Sequence, residues 1–236
     1  MSVTSSMTEI EYPESDGKPM AETDLHRDWM TRLIEMLSTH FANQQIYVSG
    51  NLFIYYEEGN PRKNVAPDVF VVKGVEPDQR RVYKLWEEGT APCFVLETTS
   101  RKTGHQDFGP KMRLYAQLGV HEYFLFDPTR EFFKPALLGY RLVGGGYMPL
   151  EMDKFGSLIS ESLGLRIQLE GRSLRLFDAT TDEPLLTGAE RARSEQLARA
   201  QAEQRASAAE AALQQEQLAR AALEAELARL RKAPQS

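Results

Sequence analysis

Two acidic side chains stand at the ends of short apolar segments in the first half of the chain. Asp68 precedes the apolar run 69–72, and Glu97 lies near the end of the run 93–98. A carboxylate at the end of a buried strand is costly unless it binds a partner. If the two segments are neighbouring strands, both carboxylates point to one place, where hard oxygen ligands suit Mg²⁺ or Mn²⁺.

A lysine beside these acids would complete a hydrolytic site. Lys111 lies fourteen residues after Glu97 in a predicted helix, and Asp107 lies four residues before Lys111. A lysine can position a water molecule or, as the neutral amine, deprotonate it, and its ammonium form can stabilise charge on a phosphate. Asp68, Glu97 and Lys111 therefore suit metal-assisted phosphodiester hydrolysis. Spacing alone leaves structural roles open: a turn residue for Asp68, an arginine partner for Glu97, and a helix cap for Asp107.

The stretch 91–128 must position these residues, and its pattern indicates a strand, a polar loop, a short helix and a second strand. Residues 93–98 and 123–126 are apolar runs typical of strands that are buried on both faces of a sheet. The helix between them has an apolar face and ends at Gly119. A helical crossover of this kind predicts two parallel strands. We expect the functional site where the strand carboxylate, the loop and the helix start converge.

Composition divides the chain into four regions. Residues 1–22 are predicted to be a flexible lead, 23–178 an α/β domain, 179–188 a linker and 189–232 one long helix. The last region has no proline, glycine or aromatic residue and is rich in alanine, glutamate and arginine. It contains two apolar runs at spacings of three and four residues, and the register breaks between the runs. This pattern predicts a coiled coil or a solvated helix, and we favour a coiled coil through which the chain forms a homo-oligomer.

Charge and cysteine content limit the function classes. The chain of 236 residues carries a formal net charge of −6, so it lacks the strongly basic footprint of a tight nonspecific DNA binder. Its single cysteine, Cys93, excludes an internal disulfide and a cysteine-based zinc site, and we expect a buried thiol. No apolar signal segment or run of membrane-spanning length is visible, so we expect a cytoplasmic protein without a membrane partner.

Four ordered segments around the acids resemble the Uma2 family of the PD-(D/E)XK nuclease superfamily. They are PD at 67–68, FVLETTS at 94–100, DFGPK at 107–111 and LYAQLGVHEYFLFDP at 114–128. The resemblance covers about residues 23–150. It implies a restriction-endonuclease-like mixed sheet flanked by helices and a Mg²⁺-dependent nuclease that cuts DNA, with Mn²⁺ as an alternative ion. On this pattern, Asp68 and Glu97 are the metal ligands.

The chain departs from the superfamily pattern at one position. The pattern places a lysine two residues after the second acid, on the same face of the strand, and this chain has Thr99 there. The resemblance suggests that Lys111 takes this place, with Lys84 and Lys102 as competitors. If no lysine reaches the acids, the alternative is a catalytically inactive nuclease-fold scaffold that assembles through its coiled coil. Asp107 either orients Lys111 or only caps the helix.

Other residues are secondary candidates. Superfamily members often add an acid from the first helix, which makes Glu35 a candidate, whereas His26 is expected to be a surface or capping residue. Tyr115 and Tyr123 are expected to be packing residues. A local positive rim beside the acids has four candidate members: Arg80, Arg81, Arg101 and Lys102.

Overall fold

The computed structural model describes residues 10–15, 24–99 and 103–232. The chain forms two compact units, Met1–Thr187 and Gly188–Ser236. The first unit contains a six-stranded mixed sheet and two three-stranded sheets, and the second is a single long helix. The predicted α/β class, the mixed sheet flanked by helices and the long C-terminal helix are therefore confirmed.

Twelve strands and five α-helices make up the described chain. The strands are β1 (Ile46–Ser49), β2 (Ile54–Tyr55), β3 (Asn64–Val65), β4 (Val69–Lys73), β5 (Tyr83–Lys84), β6 (Phe94–Thr98), β7 (Glu122–Phe126), β8 (Leu137–Val143), β9 (Gly146–Pro149), β10 (Ser157–Ser160), β11 (Leu165–Glu170) and β12 (Ser173–Asp178). The helices are α1 (Asp24–His40), α2 (Leu85–Glu88), α3 (Gly104–Gln106), α4 (Met112–Gln117) and α5 (Gly188–Lys232), with a π-helical segment, Asp107–Lys111, between α3 and α4.

The central sheet has the strand order β1-β4-β6-β7-β8-β9. Strands β6 and β7 are parallel, as the crossover pattern predicts, and every other neighbouring pair is antiparallel. Val69 pairs with Leu96 across β4 and β6, so Asp68 and Glu97 stand opposite each other one step further along. The register therefore places both predicted acids at one edge of the sheet.

The central strands β6 and β7 are fully buried because both faces of the sheet are covered. Helix α1 and the sheet β10-β11-β12 cover one face, and α4 with the sheet β3-β2-β5 lies against the other. Burial on both faces explains why these strands appear in the sequence as continuous apolar runs. Cys93 is buried at the start of β6, as expected.

Residues of the predicted flexible lead and of the predicted linker contact the α/β domain. In the predicted lead, the Tyr12 ring contacts Tyr55 and Trp86, and the Tyr55 hydroxyl donates to the Pro13 carbonyl at 2.5 Å. In the predicted linker, Leu185 is buried in the core. Residues 10–15 and the end of the linker are thus ordered parts of the domain. The remaining lead residues lie outside the described residues.

Glu122, at the start of β7, ties the central sheet to the turn after β10. Its buried carboxylate accepts hydrogen bonds from Arg141 Nη2 at 3.0 Å, Ser160 Oγ at 2.5 Å and the Glu161 amide at 3.0 Å. Removing this buried carboxylate would leave its hydrogen-bond donors and the Arg141 cation without their partner, which lowers the stability of the folded state.

We therefore expect Glu122→Ala to lower the free energy of unfolding by about 3 kcal/mol. Urea denaturation followed by circular dichroism measures the change. Glu161→Ala is the matched control, because the Glu161 side chain also pairs with Arg141, at 2.8 Å, yet is 71% exposed. An exposed pair of this kind contributes at most about 1 kcal/mol. Equal effects of the two variants would contradict the structural role of Glu122.

Candidate active site

The two predicted acids are held together by the backbones of β4 and β6. The Thr98 amide donates to Asp68 Oδ2 at 2.6 Å, and the Asp68 amide donates to Glu97 Oε2 at 3.4 Å. The Asp68 carboxylate is therefore held by the backbone of the residue after Glu97, and the Glu97 carboxylate is held by the backbone of Asp68. Asp68 is not merely a turn residue, because its side chain fixes the pairing at the end of these strands.

Lys111 reaches Glu97 from the helix that follows β6. Its Nζ lies 2.9 Å from Glu97 Oε2 and 3.3 Å from Asp107 Oδ1. The π-helical segment contains Pro110, which has no amide hydrogen and so cannot complete an α-helical hydrogen bond. Single wide turns of this type often occur at functional sites. Here Lys111, at one end of the wide turn, contacts both Glu97 and Asp107, which lies at the other end of the turn.

Of the two other lysines considered for this position, only Lys84 lies within the described residues, and its described contacts are with other groups. Lys84 Nζ lies 2.9 Å from Glu87 Oε1 and 5.0 Å from the centre of the Tyr12 ring, and Lys102 lies outside the described residues. Thr99 is buried, and within the described ranges its Oγ1 has no hydrogen-bond partner. The structure thus brings Lys111, rather than Lys84, to Glu97.

His26 joins the site, contrary to the expectation of a surface or capping residue. Its Nε2 lies 3.1 Å from Asp68 Oδ2, and its side chain is 14% exposed. His26 stands three and seven residues before the buried Trp29 and Leu33, so it continues the buried face of α1. That position on the apolar face was the sequence signal that could have revealed it.

Glu35, the acid considered on α1, does not share this position. It lies nine residues after His26 and is exposed. Nine residues make about two and a half turns of an α-helix, so the two side chains leave opposite faces. In the structure, α1 therefore contributes an imidazole to the acids rather than a carboxylate.

Two tyrosines have a larger role than packing. The Tyr115 hydroxyl, fully buried, donates to Glu97 Oε1 at 2.7 Å, and the Tyr123 hydroxyl donates to the Asp107 carbonyl at 3.0 Å. Their rings are in contact, with centroids 5.2 Å apart. Tyr115 thus holds one oxygen of Glu97 while Lys111 pairs with the other, which fixes the orientation of this carboxylate.

The predicted positive rim is not formed by Arg80 and Arg81. Arg80 Nε lies 2.5 Å from Glu88 Oε1, and its guanidinium stacks over Tyr47 at 4.3 Å. Arg81 pairs with Glu14. These contacts make Arg80 a structural residue, and the remaining two rim candidates, 101 and 102, lie outside the described residues.

Negative charge exceeds positive charge at the site. Three carboxyl groups, Asp68, Glu97 and Asp107, share the ammonium group of Lys111. Burial raises the pKa of Glu97 to about 8, although Lys111 acts in the opposite direction. Burial also raises the pKa of Asp107. Burial alone would lower the pKa of Lys111, but Glu97 and Asp107 outweigh it and raise that pKa.

The donor chemistry of these residues fits a divalent cation. Asp68 and Glu97 supply the hard oxygen ligands that Mg²⁺ and Mn²⁺ prefer, and an added cation would offset the excess negative charge. The described residues contain no group of three His, Cys, Asp or Glu side chains already arranged to hold an ion. Asp68 and Glu97 instead contact His26 and Lys111, so the fit rests on charge and donor type.

Comparisons with known proteins relate the chain to a nuclease family. The sequence model of Uma2, described as "Putative restriction endonuclease", matches residues 5–176, which is well over half of the chain. A crystal structure of a putative nuclease belonging to DUF820 from Anabaena variabilis is 13% identical to the chain. The aligned region covers 62% of this chain and 76% of the Anabaena chain, with a TM-score of 0.46. No curated protein gives a significant match.

The raised pKa of Glu97 predicts how stability depends on pH in the metal-free protein. A raised folded-state pKa means that the native state holds this proton more tightly than the unfolded chain, whose pKa is near 4.5. The resulting stability is present below pH 4.5 and is lost as the pH rises to about 8. We expect Glu97→Gln, which cannot titrate, to become more stable relative to wild type by more than about 1 kcal/mol between pH 5 and pH 8.

Urea denaturation in EDTA at the two pH values measures this difference. Glu58→Gln changes an exposed carboxylate and serves as the control. A Glu97→Gln variant whose stability follows that of wild type at both pH values would show that the buried carboxyl does not titrate in this range.

Proposed function

The chain belongs to the Uma2 family, and on this premise we propose that it is a metal-dependent endonuclease that hydrolyses phosphodiester bonds in DNA. The observation that carries the proposal is the 2.9 Å contact between Lys111 Nζ and Glu97 Oε2. Thr99 stands where the superfamily pattern has its lysine, and this contact supplies an ammonium group from the following helix instead. Retention of both acids together with a nearby cation favours an enzyme over an inactive scaffold.

Asp68 and Glu97 would hold Mg²⁺, with Mn²⁺ as the alternative. When bound, such an ion supplies Lewis acidity to the phosphate and lowers the pKa of a water molecule. Lys111 would position the attacking water or a phosphate oxygen through its ammonium group. Asp107, at 3.3 Å, keeps Lys111 in place, and Tyr115 keeps Glu97 in place. His26 contacts Asp68 and is proposed to orient it.

Cleavage assays with matched variants test this function. We expect the wild type to cut plasmid or single-stranded DNA with Mg²⁺ or Mn²⁺ and to be inactive in EDTA. Glu97→Gln and Lys111→Met are each expected to lower the rate at least about 100-fold, because the first weakens the hold on the metal ion and the second removes the ammonium group that acts on the water or the phosphate. Lys84→Met, which removes a lysine paired with Glu87, is the control and should retain activity.

The assay separates the enzyme from its alternatives. Loss of activity in Glu97→Gln but not in Lys111→Met would remove Lys111 from the mechanism and leave Lys102 as the candidate. A folded wild type that cuts neither substrate with either ion would favour the scaffold, which the net charge of −6 and Thr99 also support.

Calorimetric titration with Mn²⁺ tests the proposed ligands without relying on activity. Asp68→Asn should abolish binding, because it removes one of two charged ligands. His26→Gln should weaken binding about tenfold, as is typical when a residue that orients a ligand is lost. Asp78→Asn, a change at an exposed acid, is the control. Unchanged affinity in Asp68→Asn would contradict the assignment of this residue as a ligand.

The proposal also includes partners. DNA is the proposed substrate, and the long helix α5 is proposed to join two copies of the chain. None of the described helices is both long enough and apolar enough to cross a membrane.

A further inference from the structure

Helix α5 is a single uninterrupted helix of 45 residues whose described side chains are almost all exposed. Leu213, Leu223 and Leu227 are 56%, 65% and 53% exposed. A helix of this length gains little from packing unless its apolar residues meet a partner. The self-association proposed above supplies that partner, and the order of residues along α5 contains information about its direction.

One heptad seam runs along α5 without the break that the sequence analysis identified. Leu213 and Leu223 are ten residues apart, which equals steps of three, four and three, so Glu216 and Arg220 fill the intervening seam positions. The full seam, at alternating steps of four and three residues, is Ala202, Ala206, Ala209, Leu213, Glu216, Arg220, Leu223 and Leu227. The apparent break is therefore a pair of opposite charges inside a continuous seam.

A parallel pair of these helices would place each seam residue against its own copy. Glu216 would then face Glu216 and Arg220 would face Arg220, two layers of like charge that are destabilising in a partly desolvated seam. Alanine layers would also face alanine layers and leucine layers would face leucine layers. In this arrangement, the two helices would lie close together along the alanine half of the seam and further apart along the leucine half.

We propose that α5 pairs with α5 of a second copy in an antiparallel coiled coil centred on residue 218. In this alignment, Glu216 of each copy faces Arg220 of the other, which gives two pairs of opposite charge at the centre. Leu213 faces Leu223 on both sides of these pairs. Ala209 faces Leu227, so that a small residue meets a large one there. The proposal rests on the self-association of α5 proposed above and adds its direction and register.

The charges also select this register among the antiparallel ones. A shift by one heptad in one direction places Glu216 against Leu227, and a shift in the other direction places it against Leu213. Both shifts bury a carboxylate against a leucine without a cation. Buried polar residues that are satisfied in only one alignment are an established means of fixing coiled-coil register. In the proposed register, the two helix starts at Gly188 lie about 90 Å apart.

Disulfide trapping in the full-length chain tests the direction. Leu213→Cys and Leu223→Cys are made separately, each with a tag of different mass, mixed, incubated to allow exchange and oxidised. We expect a disulfide between the two different chains and none within either variant alone. Leu218→Cys is the control, because Leu218 is 66% exposed and lies off the seam. Wild type controls for Cys93, which is buried and whose thiol pKa burial raises to about 11.

Charge reversal provides an independent test that needs no exchange of chains. Glu216→Arg should reduce the mass measured by light scattering from two chains to one, because the introduced guanidinium group would face Arg220 of the other copy. The double variant E216R/R220E should restore the two-chain mass. In a parallel pair, the single variant only replaces one layer of like charge by another, so the mass should not fall.

The outcomes distinguish the direction from the association itself. Disulfides within each single variant, together with an unchanged mass for Glu216→Arg, would overturn the antiparallel arrangement while leaving self-association intact. A one-chain mass for wild type at micromolar concentration would overturn both. Neither result tests the nuclease proposal, because every residue that the proposal assigns to the candidate site lies in the first unit.

Discussion

The ion pair between Lys111 and Glu97 is the interaction on which the candidate site depends. Glu97 is 1% exposed at the end of a strand that is covered on both faces, where an unpaired carboxylate would be strongly destabilising. Two contacts offset this cost: the Lys111 ammonium at Oε2 and the Tyr115 hydroxyl at Oε1. Both partners come from the helical connection between β6 and β7, so the crossover that completes the parallel strand pair also completes the site.

The excess of acidic groups at this site is expected to lower the stability of the fold, which is typical of a functional site. Asp68, Glu97 and Asp107 oppose one ammonium group, and burial pushes the pKa of Glu97 and of Asp107 upward. A cluster selected for stability alone would pair each acid with a cation or replace it with an apolar residue. Strongly perturbed carboxyls grouped around one lysine are typical of functional sites. The surrounding apolar strands supply the stability that this cluster lacks.

Local patterns predicted much of this arrangement. The apolar runs indicated the strands that carry Asp68 and Glu97, the crossover predicted the parallel pair β6-β7, and the family resemblance directed attention to Lys111. The spacing of His26 from Trp29 and Leu33 placed it on the apolar face of α1, but its contact with Asp68 depends on how α1 packs on the sheet. The contact between Tyr115 and Glu97 likewise depends on how α4 packs there. Ordered residues such as Tyr12 and Leu185 were missed for a related reason. They lie in polar segments without periodicity and become fixed through contacts with distant strands.

Polar residues within apolar surfaces have a common physical role in both units of the chain. In the first unit, Glu97 is satisfied only when the π-helical turn delivers Lys111, so the carboxylate selects one arrangement of the connection between β6 and β7. In α5, Glu216 would be satisfied only when Arg220 of a second copy faces it, which selects one direction and one register. An alanine–leucine seam alone would permit several alignments at similar free energy, because apolar contacts are not directional. In the proposed assembly, the charged pair inside the seam would therefore sacrifice some stability for a defined direction and register.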